Sequence, residues 1–326
     1  MRPGQLRYSG AVVTFTRILP ANPASIEHAA QLIAHGVPVA VPTETVYGLA
    51  GDARSGEAVA AIYTAKGRPS FNPLIAHVKG FAMAEQIAVF SPLARKLAVA
   101  FWPGPLTMVL PLAPNAPIAS LMTAGLSTIA VRAPSHPVIR ALIDAVGRPL
   151  AAPSANASGS ISATRAEHVA RSLEGRIELV LDGGPTELGI ESTIVAVEED
   201  RLRLLRPGSI TADMLHDATG VNVEMGGSDT IEAPGQMSSH YAPTKPLRLD
   251  ATTARPGEVH IGFGSVAGDA SLSELGDLNQ AAARLFDLLH VADASGAAAI
   301  AVAPIPNEGL GIAINDRLLR AAAPRP

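Results

Sequence analysis

Polar side chains directly follow the first small apolar run of the chain. Residues 39–41, Val-Ala-Val, predict a strand that Pro42 ends, and Thr43, Glu44 and Thr45 come next. Ligands of α/β proteins bind at the carboxyl ends of strands, so these side chains are candidates for a binding site. The alternative is a plain turn in which Thr43 or Thr45 caps the following helix.

Two cations stand at the end of a predicted helix over residues 55–65. Lys66 and Arg68 complement the helix dipole there, and this alone can explain cations at the end of a helix. Pro69 and Pro73, however, hold an irregular loop ahead of the next strand. A rigid loop with two cations suits a polyphosphate, so both explanations stay open at this point.

Arg132 ends an otherwise apolar run. Residues 128–132 are Thr-Ile-Ala-Val-Arg, and in a strand Thr128, Ala130 and Arg132 share one face. Burying a guanidinium is costly without an anion. The pattern therefore predicts either a paired acid or a bound anionic ligand, and it does not choose between them.

Four further polar positions lie in or beside predicted strands. Ser154 opens a loop of small residues, which lets backbone amides approach a phosphate closely but is also typical of a flexible linker. Ser192 precedes a strand that is predicted to form a hairpin with the strand ending at Arg206. His77 lies within the predicted strand over residues 74–78.

The elements that must position these side chains indicate an α/β protein of two domains. The chain has 326 residues, 48% of them hydrophobic but only 4% aromatic, so Ala, Val, Leu and Ile must fill its core. We assign residues 1–219 to the main domain, 220–244 to a linker and 245–326 to a small α/β domain. His240 and Tyr241 are unusual in a spacer, which indicates that the linker folds back onto something.

The small domain is predicted from hydrophobic periodicity. Its strands are expected over residues 247–249, 258–262 and 298–302, and its helix over residues 279–294. The predicted buried stripe of that helix consists of Leu285, Leu288, Leu289 and Val291. In the main domain, Thr164 is expected to cap a helix.

Composition excludes several classes of protein. No cysteine is present, which excludes disulfides, thiolate metal ligands and a cysteine nucleophile. The first residues lack the apolar core of a signal peptide, and no run of about eighteen apolar residues occurs, so we expect a cytoplasmic protein without a membrane span. A net charge of −4 argues against binding nucleic acid through a general positive field.

Standard catalytic motifs are absent from the sequence. It contains no GxxxxGK[ST] loop, no GxGxxG after a strand, no HExxH and no GxSxG. Scattered hydroxyls and cations without a strong base fit a nucleotide site that works by charge neutralisation and alignment. Adenylyl transfer is chemistry of this kind.

Nine segments, in this order, together resemble the threonylcarbamoyl-adenylate synthase family in its two-domain form. They are PTETVYGL (42–49), KGRP (66–69), NPL (72–74), PGPLT (103–107), VRAP (131–134), PSAN (153–156), EST (191–193), RPG (206–208) and HYAP (240–243). Any one of them alone is weak, whereas nine in order form a specific match.

The resemblance implies a YrdC-like twisted mixed sheet with flanking helices and a concave ligand site, followed by a small Rossmann-like α/β domain. It implies a nucleotidyltransferase that makes L-threonylcarbamoyl-AMP and pyrophosphate from L-threonine, bicarbonate or CO2, and ATP with Mg2+. A downstream transferase would take the product for N6-threonylcarbamoyladenosine formation at position 37 of tRNA. No protein-held metal, stable nucleic-acid complex or membrane contact is expected.

The same resemblance assigns roles to individual residues. It places L-threonine, or its carbamate, against Thr45, His77, Arg132 and Ser192, with Arg132 forking the carboxylate. It places ATP against Lys66, Arg68, Asn72, Thr128, Ser154, Ser162, Arg206 and Tyr241, and it makes Lys66 and Arg68 the catalytic cations. It makes His240 and Tyr241 a lid over the site. The assignments of Asn72 and Ser162 follow from the resemblance alone.

Two departures and two rivals stand beside this hypothesis. Residues 233–239 lack the basic residues expected ahead of His240 in this family, and the small domain is short and poor in recognisable signals, so its role stays open. One rival is an RNA-binding YrdC-like module, against which the net acidity and the lack of interleaved aromatics count. The other is a different carbamoyltransferase built on the same domain.

Overall fold

The computed structural model describes residues 7–8, 11–12, 15–68, 72–226, 232–234 and 239–324. Of the segments discussed above, Pro69 and residues 227–231 and 235–238 of the linker lie outside these ranges.

The described residues form strands and helices in a mixed order. The strands are β1 Arg7–Tyr8, β2 Ala11–Val12, β3 Arg17–Pro20, β4 Val39–Val41, β5 Gly48–Asp52, β6 Ile75–His77, β7 Leu106–Pro111, β8 Thr128–Arg132, β9 Leu150–Ala151, β10 Leu179–Asp182, β11 Thr193–Val197, β12 Leu202–Arg206, β13 Val223–Met225, β14 Leu247–Arg248, β15 Glu258–Gly262, β16 Ala270–Ser271 and β17 Ala299–Val302. The helices are α1 Pro23–Ala34, α2 Gly56–Lys66, α3 Phe81–Ala84, α4 Pro92–Phe101, α5 Ser120–Thr123, α6 Pro137–Val146, α7 Ala166–Leu173, α8 Ala212–Thr219, α9 Leu278–Ala294 and α10 Leu310–Ala322.

The main domain is built on one large mixed sheet, which confirms the predicted fold class. Its eleven strands follow the order β13-β12-β11-β7-β8-β6-β9-β5-β4-β10-β3. Strands such as β4, with all three residues buried, are apolar because helices cover the sheet. The edge strand β13 pairs in parallel with β12, so the sheet continues into the segment that we assigned to the linker.

Local capping explains where the helices that frame the site begin. Asn22 and Ser25 form a reciprocal capping box at α1, and the Ser55 side chain accepts a hydrogen bond from Ala58 N at α2. Gly67 ends α2 in the left-handed region, with φ of 60°. The prediction that Thr164 caps a helix is wrong, because α7 has Arg165 at its N-cap without a side-chain capping bond.

The C-terminal part forms a second, smaller sheet whose four strands are all parallel, in the order β14-β17-β15-β16. The helix α9 has the predicted place, but Val291 in its predicted stripe is 60% exposed and faces away from the core. We did not predict β16 or α10. None of the helices in the described ranges is both long and apolar enough to cross a bilayer.

The two sheets share an apolar boundary. Val46, Ile161 and Ile190 of the main domain belong to the same hydrophobic cluster as Leu285 and Phe286 of α9. Next to this cluster, Gly189 has φ of 72° and approaches the α9 backbone so closely that a Cβ there would lie 2.4 Å from Ala282 O. The small domain therefore packs directly against the loops that follow β4 and β9 and that precede β11.

Candidate active site

A small cavity of about 50 Å³ lies where three parallel strands end. It is lined by Thr45, Arg68, Ile75, His77, Arg132, Ala152, Pro153, Ser154, Glu191, Ser192, Arg206, Pro234, His240 and Tyr241. Ligand pockets usually measure roughly 300–1,000 Å³, so the cavity in this form is too small for a nucleotide. We therefore expect the segment with His240 and Tyr241 to move when a nucleotide binds.

Sheet register brings the lining residues together from distant parts of the sequence. His77 and Arg132 end the parallel strands β6 and β8 as register partners. Arg206 ends β12 opposite Ile194, the second residue of the antiparallel β11. Ser192 directly precedes β11. The carboxyl ends of β6, β8 and β12 thus meet the amino end of β11, which is the geometry expected for a ligand site.

Arg132 is paired with an acid, which is the first of the two alternatives that its strand left open. Its Nη2 lies 2.7 Å from Glu44 Oε1, and its Nη1 donates to Thr45 Oγ1 at 3.0 Å. Burial alone would raise the pKa of the Glu44 carboxyl, but the Arg132 charge and hydrogen bond outweigh it and lower that pKa to about 2. We did not identify Glu44 as a partner, although it lies in the first motif.

The turn that contains Thr43 and Thr45 is stabilised by hydrogen bonds within the turn, and neither threonine caps a helix. Thr43 Oγ1 accepts hydrogen bonds from Thr45 N and Val46 N at 3.1 and 3.3 Å and donates to Val46 O at 2.7 Å. The helix α2 begins only later and has its own cap at Ser55. The Thr45 hydroxyl is consequently held against Arg132 at the cavity wall.

Three buried cations converge at this place without a carboxylate partner among the described residues. Lys66 Nζ donates to Ser154 O and Asn156 O at 2.5 and 2.6 Å. The guanidinium of Arg68 donates to Pro73 O at 3.1 Å. Arg206 donates to the Ser192 carbonyl oxygen from Nε at 3.1 Å and from Nη2 at 3.0 Å. Within the described chain, all three cations therefore donate hydrogen bonds only to neutral groups.

The pKa values of these cations reflect burial and mutual repulsion. Burial first, and Arg68 second, lower the pKa of Lys66 well below its ordinary value. Burial also lowers the pKa of Arg68 to about 10, and Arg206 adds to that effect. The Nε of Arg68 has no hydrogen-bond partner among the residues described. An anion in the cavity would relieve this unfavourable charge.

Ser192 is held between Thr107 and Arg206. Its hydroxyl lies 2.8 Å from Thr107 Oγ1 and accepts a hydrogen bond from Arg206 Nη2 at 3.1 Å. Glu191, the preceding residue, is buried; its Oε1 accepts from Ser162 Oγ at 2.5 Å and its Oε2 from Arg317 Nε at 2.8 Å. We predicted neither Thr107 nor Arg317 as part of the site.

The aromatic side chains of the site are neutral. Burial, and then the charge of Arg132, lower the pKa of His77 to about 3. Its Nδ1 donates to Ile75 O at 3.3 Å, which leaves Nε2 as an acceptor. Burial lowers the pKa of His240 to about 3 and raises that of Tyr241. His240 Nδ1 and the Tyr241 hydroxyl have no hydrogen-bond partner in the part of the chain that is described.

Four of the predicted ligand-binding residues lie outside the lining of this cavity. Lys66 and Ser162 stand directly behind it, bonded to Ser154 and Glu191. Asn72 is buried in the loop beside Arg68, and its Oδ1 lacks a partner among the described residues. Thr128 begins β8 and Arg132 ends it, so Thr128 lies at the far end of that strand. Their contacts with a nucleotide stay predictions.

A resident metal site is not evident in the described ranges. No group of three or more His, Asp or Glu side chains there is arranged so that it could hold a metal ion. Apart from the Glu191 carboxylate, which pairs with Arg317, the polar groups of the cavity are hydroxyls, carbonyls, neutral imidazoles and cations, which suit anionic ligands.

Two family models match consecutive parts of the chain. The model described as Telomere recombination (Sua5_yciO_yrdC) matches residues 31–208. The model described as Threonylcarbamoyl-AMP synthase, C-terminal domain, matches residues 210–323. The similarity therefore covers both sheets.

Individual relatives are similar over nearly the whole length. The chain is 41% identical to the threonylcarbamoyl-AMP synthase of Bacillus subtilis (strain 168), with 96% of this chain and 97% of the relative aligned. The Pyrococcus abyssi (strain GE5 / Orsay) protein of the same name is 40% identical over 92% of this chain and 94% of its own length. A crystal structure of P. abyssi Sua5 complexed with L-threonine superposes with a TM-score of 0.85 and 36% identity, covering 94% of this chain and 98% of that one.

Proposed function

Because this chain belongs to the threonylcarbamoyl-AMP synthase family, we propose that it is an enzyme that makes L-threonylcarbamoyl-AMP from L-threonine, bicarbonate or CO2, and ATP. Pyrophosphate is the second product, which makes the enzyme a nucleotidyltransferase. The L-threonine in the P. abyssi Sua5 structure supports threonine as the amino acid substrate.

The observation that carries this proposal is the group of three buried cations that make no ion pair with a carboxylate in the described part of the chain, with Glu191 as the one buried carboxylate that favours the charge of Lys66 and Arg206. Lys66, Arg68 and Arg206 are held by neutral oxygens, and the burial of each charge is unfavourable by several kcal/mol. A triphosphate supplies the missing negative charge. We therefore place the ATP phosphates against these cations, with Asn72, Thr128, Ser154, Ser162 and Tyr241 as further nucleotide contacts.

The opposite wall of the cavity suits a zwitterionic amino acid. Each Nη atom of Arg132 carries a second hydrogen besides the one that faces Glu44 or Thr45. We propose that these two hydrogens make a bidentate contact with the threonine carboxylate. His77 Nε2 and the Ser192 hydroxyl then meet the amine and hydroxyl groups of threonine. The neutral state of His77 suits this role, since a charged ring would repel an ammonium group.

The reaction has two steps with balanced bonds. The threonine ammonium group first loses a proton to solvent, and the resulting amine forms a C–N bond to CO2 and releases a second proton to solvent, which gives a carbamate. A carbamate oxygen then forms a bond to the α-phosphorus, and the bond between that phosphorus and the bridging oxygen breaks to release pyrophosphate. The residues contribute alignment and charge neutralisation, because Lys66, Arg68 and Arg206 offset the charge that builds up on the leaving group.

Magnesium enters this proposal as part of the substrate. Mg2+ is usually held by phosphate oxygens and water with few protein ligands, so ATP can carry it into a site without a carboxylate cage. We assign no protein ligand to the ion and derive no step from it. The proposed consumer of the product is a transferase that modifies tRNA.

The proposal is tested by the substrate requirements of pyrophosphate release. The purified chain should release pyrophosphate only when ATP, threonine and bicarbonate are all present. Substituting carbamoyl phosphate for bicarbonate and ATP should give no product; turnover with it would favour a different carbamoyltransferase. Salt-sensitive tRNA binding without threonine-dependent ATP consumption would favour the RNA-binding alternative.

A further inference from the structure

Arg317 of the small domain is a fully buried charge that reaches into the main domain. It lies on α10, and its side chain is 0% exposed. Its Nε donates to Glu191 Oε2 at 2.8 Å, and its Nη2 donates to Pro207 O at 3.0 Å. Its Nη1 lies 2.7 Å from Asp316 Oδ2, so all three guanidinium nitrogens are used.

The two main-domain contacts of Arg317 belong to two different strand ends of the site. Glu191 precedes Ser192, and Pro207 follows Arg206. Ser192 and Arg206 are proposed above to face threonine and the nucleotide. Arg317 is therefore positioned to fix the distance between two ligand-binding elements while touching neither ligand itself.

Glu191 is a buried carboxylate among several titratable groups. Arg317 faces it from α10, Arg206 from β12, Lys66 from α2, and His240 and Tyr241 from the segment that covers the cavity. Burial alone would raise the pKa of its carboxyl, but Arg317, followed by Arg206, holds that pKa below the ordinary value. Arg317 is thus the principal partner that keeps Glu191 ionised.

The same helix also holds the covering segment. Arg317 Cζ lies 5.3 Å from the ring centroid of Tyr241, and the His240 backbone N–H donates to Arg320 O at 3.2 Å. Tyr241 stacks on Phe286 of α9 with ring centroids 5.5 Å apart. The small domain therefore contacts the cavity wall and the cover of the cavity at one place.

We propose that Arg317 is a positioning residue of the active site, which couples the small domain to the reaction by holding Glu191 and the Pro207 carbonyl in fixed relation. This inference rests on the proposed synthase function. It makes the small domain a structural part of the catalytic site, in which a side chain more than a hundred residues away in sequence sets the position of Ser192 and Arg206.

The test compares the variants Arg317→Ala, Arg317→Lys and Glu191→Gln, and the double variant of Arg317→Ala with Glu191→Gln, in threonylcarbamoyl-AMP formation. Arg317→Ala should lower kcat/KM on the order of tenfold, the size typical of coupling between buried charged neighbours, and Arg317→Lys should restore part of it. Exposed Arg284 on α9 provides the matched control, and Arg284→Ala should behave as wild type.

The pH profile separates positioning from a general loosening of the fold. Without Arg317, burial raises the pKa of Glu191, so the acid limb of kcat/KM should move to higher pH in Arg317→Ala and be absent once Glu191→Gln is added. The two substitutions should also be non-additive. Full activity of Arg317→Ala, or additive losses with an unshifted acid limb, would overturn the inference. No product from the wild-type chain would instead contradict the proposed function.

Discussion

At the scale of single residues, the site combines a paired arginine with unpaired cations. Arg132 and Glu44 neutralise each other at 2.7 Å, whereas Lys66, Arg68 and Arg206 make no ion pair within the described chain and donate their hydrogen bonds to neutral oxygens. This division predicts different consequences for mutations on the two sides. Replacing Arg132 alone would leave the buried Glu44 carboxylate without a counter-charge, so both members of the pair must be replaced together.

The double variant Arg132→Met with Glu44→Gln tests the proposed threonine contact without leaving a buried charge. We expect the threonine KM to rise about tenfold to a hundredfold, since a hydrogen bond to a charged group contributes roughly 1.5–3 kcal/mol. The dissociation constant of ATP, measured by calorimetry, should change much less. Glu44→Gln alone is the control. Equal losses for both substrates would refute the role of Arg132.

Residue types beside strand ends made most of the cavity wall predictable from the sequence. Thr45, His77, Arg132, Ser192 and Arg206 all line the cavity, as that reasoning expects. Arg317 was missed because its helix was not recognised, although Leu310, Ile314, Leu318 and Ala321 follow a helical spacing. Whether Arg132 meets an acid or a ligand could not be read from the strand, because its partner Glu44 is far away in sequence.

At the scale of elements, the segment that carries His240 and Tyr241 closes the cavity. Ala242 N donates to Gly159 O at 2.8 Å, and Ala242 forms an isolated bridge with Ser160. A cavity of about 50 Å³ remains beneath it, so we expect this closed arrangement to open when a nucleotide binds. In α9, periodicity predicts that Val291 is buried, yet its side chain is 60% exposed, because only part of that helix face meets the core.

A disulfide between Ser160→Cys and Ala242→Cys should lock this segment in place. The chain has no cysteine, so no other thiol within it competes with the introduced pair, and bridge partners lie at a separation that suits a disulfide. The oxidised protein should lose ATP binding and turnover by at least about tenfold, and reduction should restore both. Each single cysteine variant is a control. Unchanged turnover with the disulfide verified by mass spectrometry would show that the segment does not need to open.

At the scale of the whole molecule, the contact between the two domains contains groups that respond to pH. His168 of α7 and His290 of α9 stack with centroids 3.9 Å apart, and Asp287 Oδ1 lies 3.4 Å from His168 Nε2 and 2.8 Å from Arg165 Nε. Burial lowers the pKa of His168 to about 3 and that of His290 to about 4. Both rings are therefore neutral in the folded protein near neutral pH.

The contact should weaken on acidification. Since both folded pKa values lie below the unfolded value of about 6.5, the stabilisation is complete above that pH and is lost as the pH falls towards 4. Urea unfolding near pH 5 should show a loss of about 2 kcal/mol for each ring relative to pH 8. His290→Gln, which keeps a hydrogen-bond donor for Ser162 O, should reduce the dependence of the unfolding free energy on pH. The exposed His35→Gln should leave it unchanged, and an equal slope in both variants would contradict the assignment.

The formation of the adenylate itself is the most direct test of the function. The purified chain is incubated with ATP, L-threonine and carbon-13 bicarbonate, and the products are examined at once by mass spectrometry. We predict L-threonylcarbamoyl-AMP with the label in its carbamoyl carbon, together with an equal amount of pyrophosphate. AMP or pyrophosphate without the labelled adenylate, from protein that is folded and binds ATP, would contradict it.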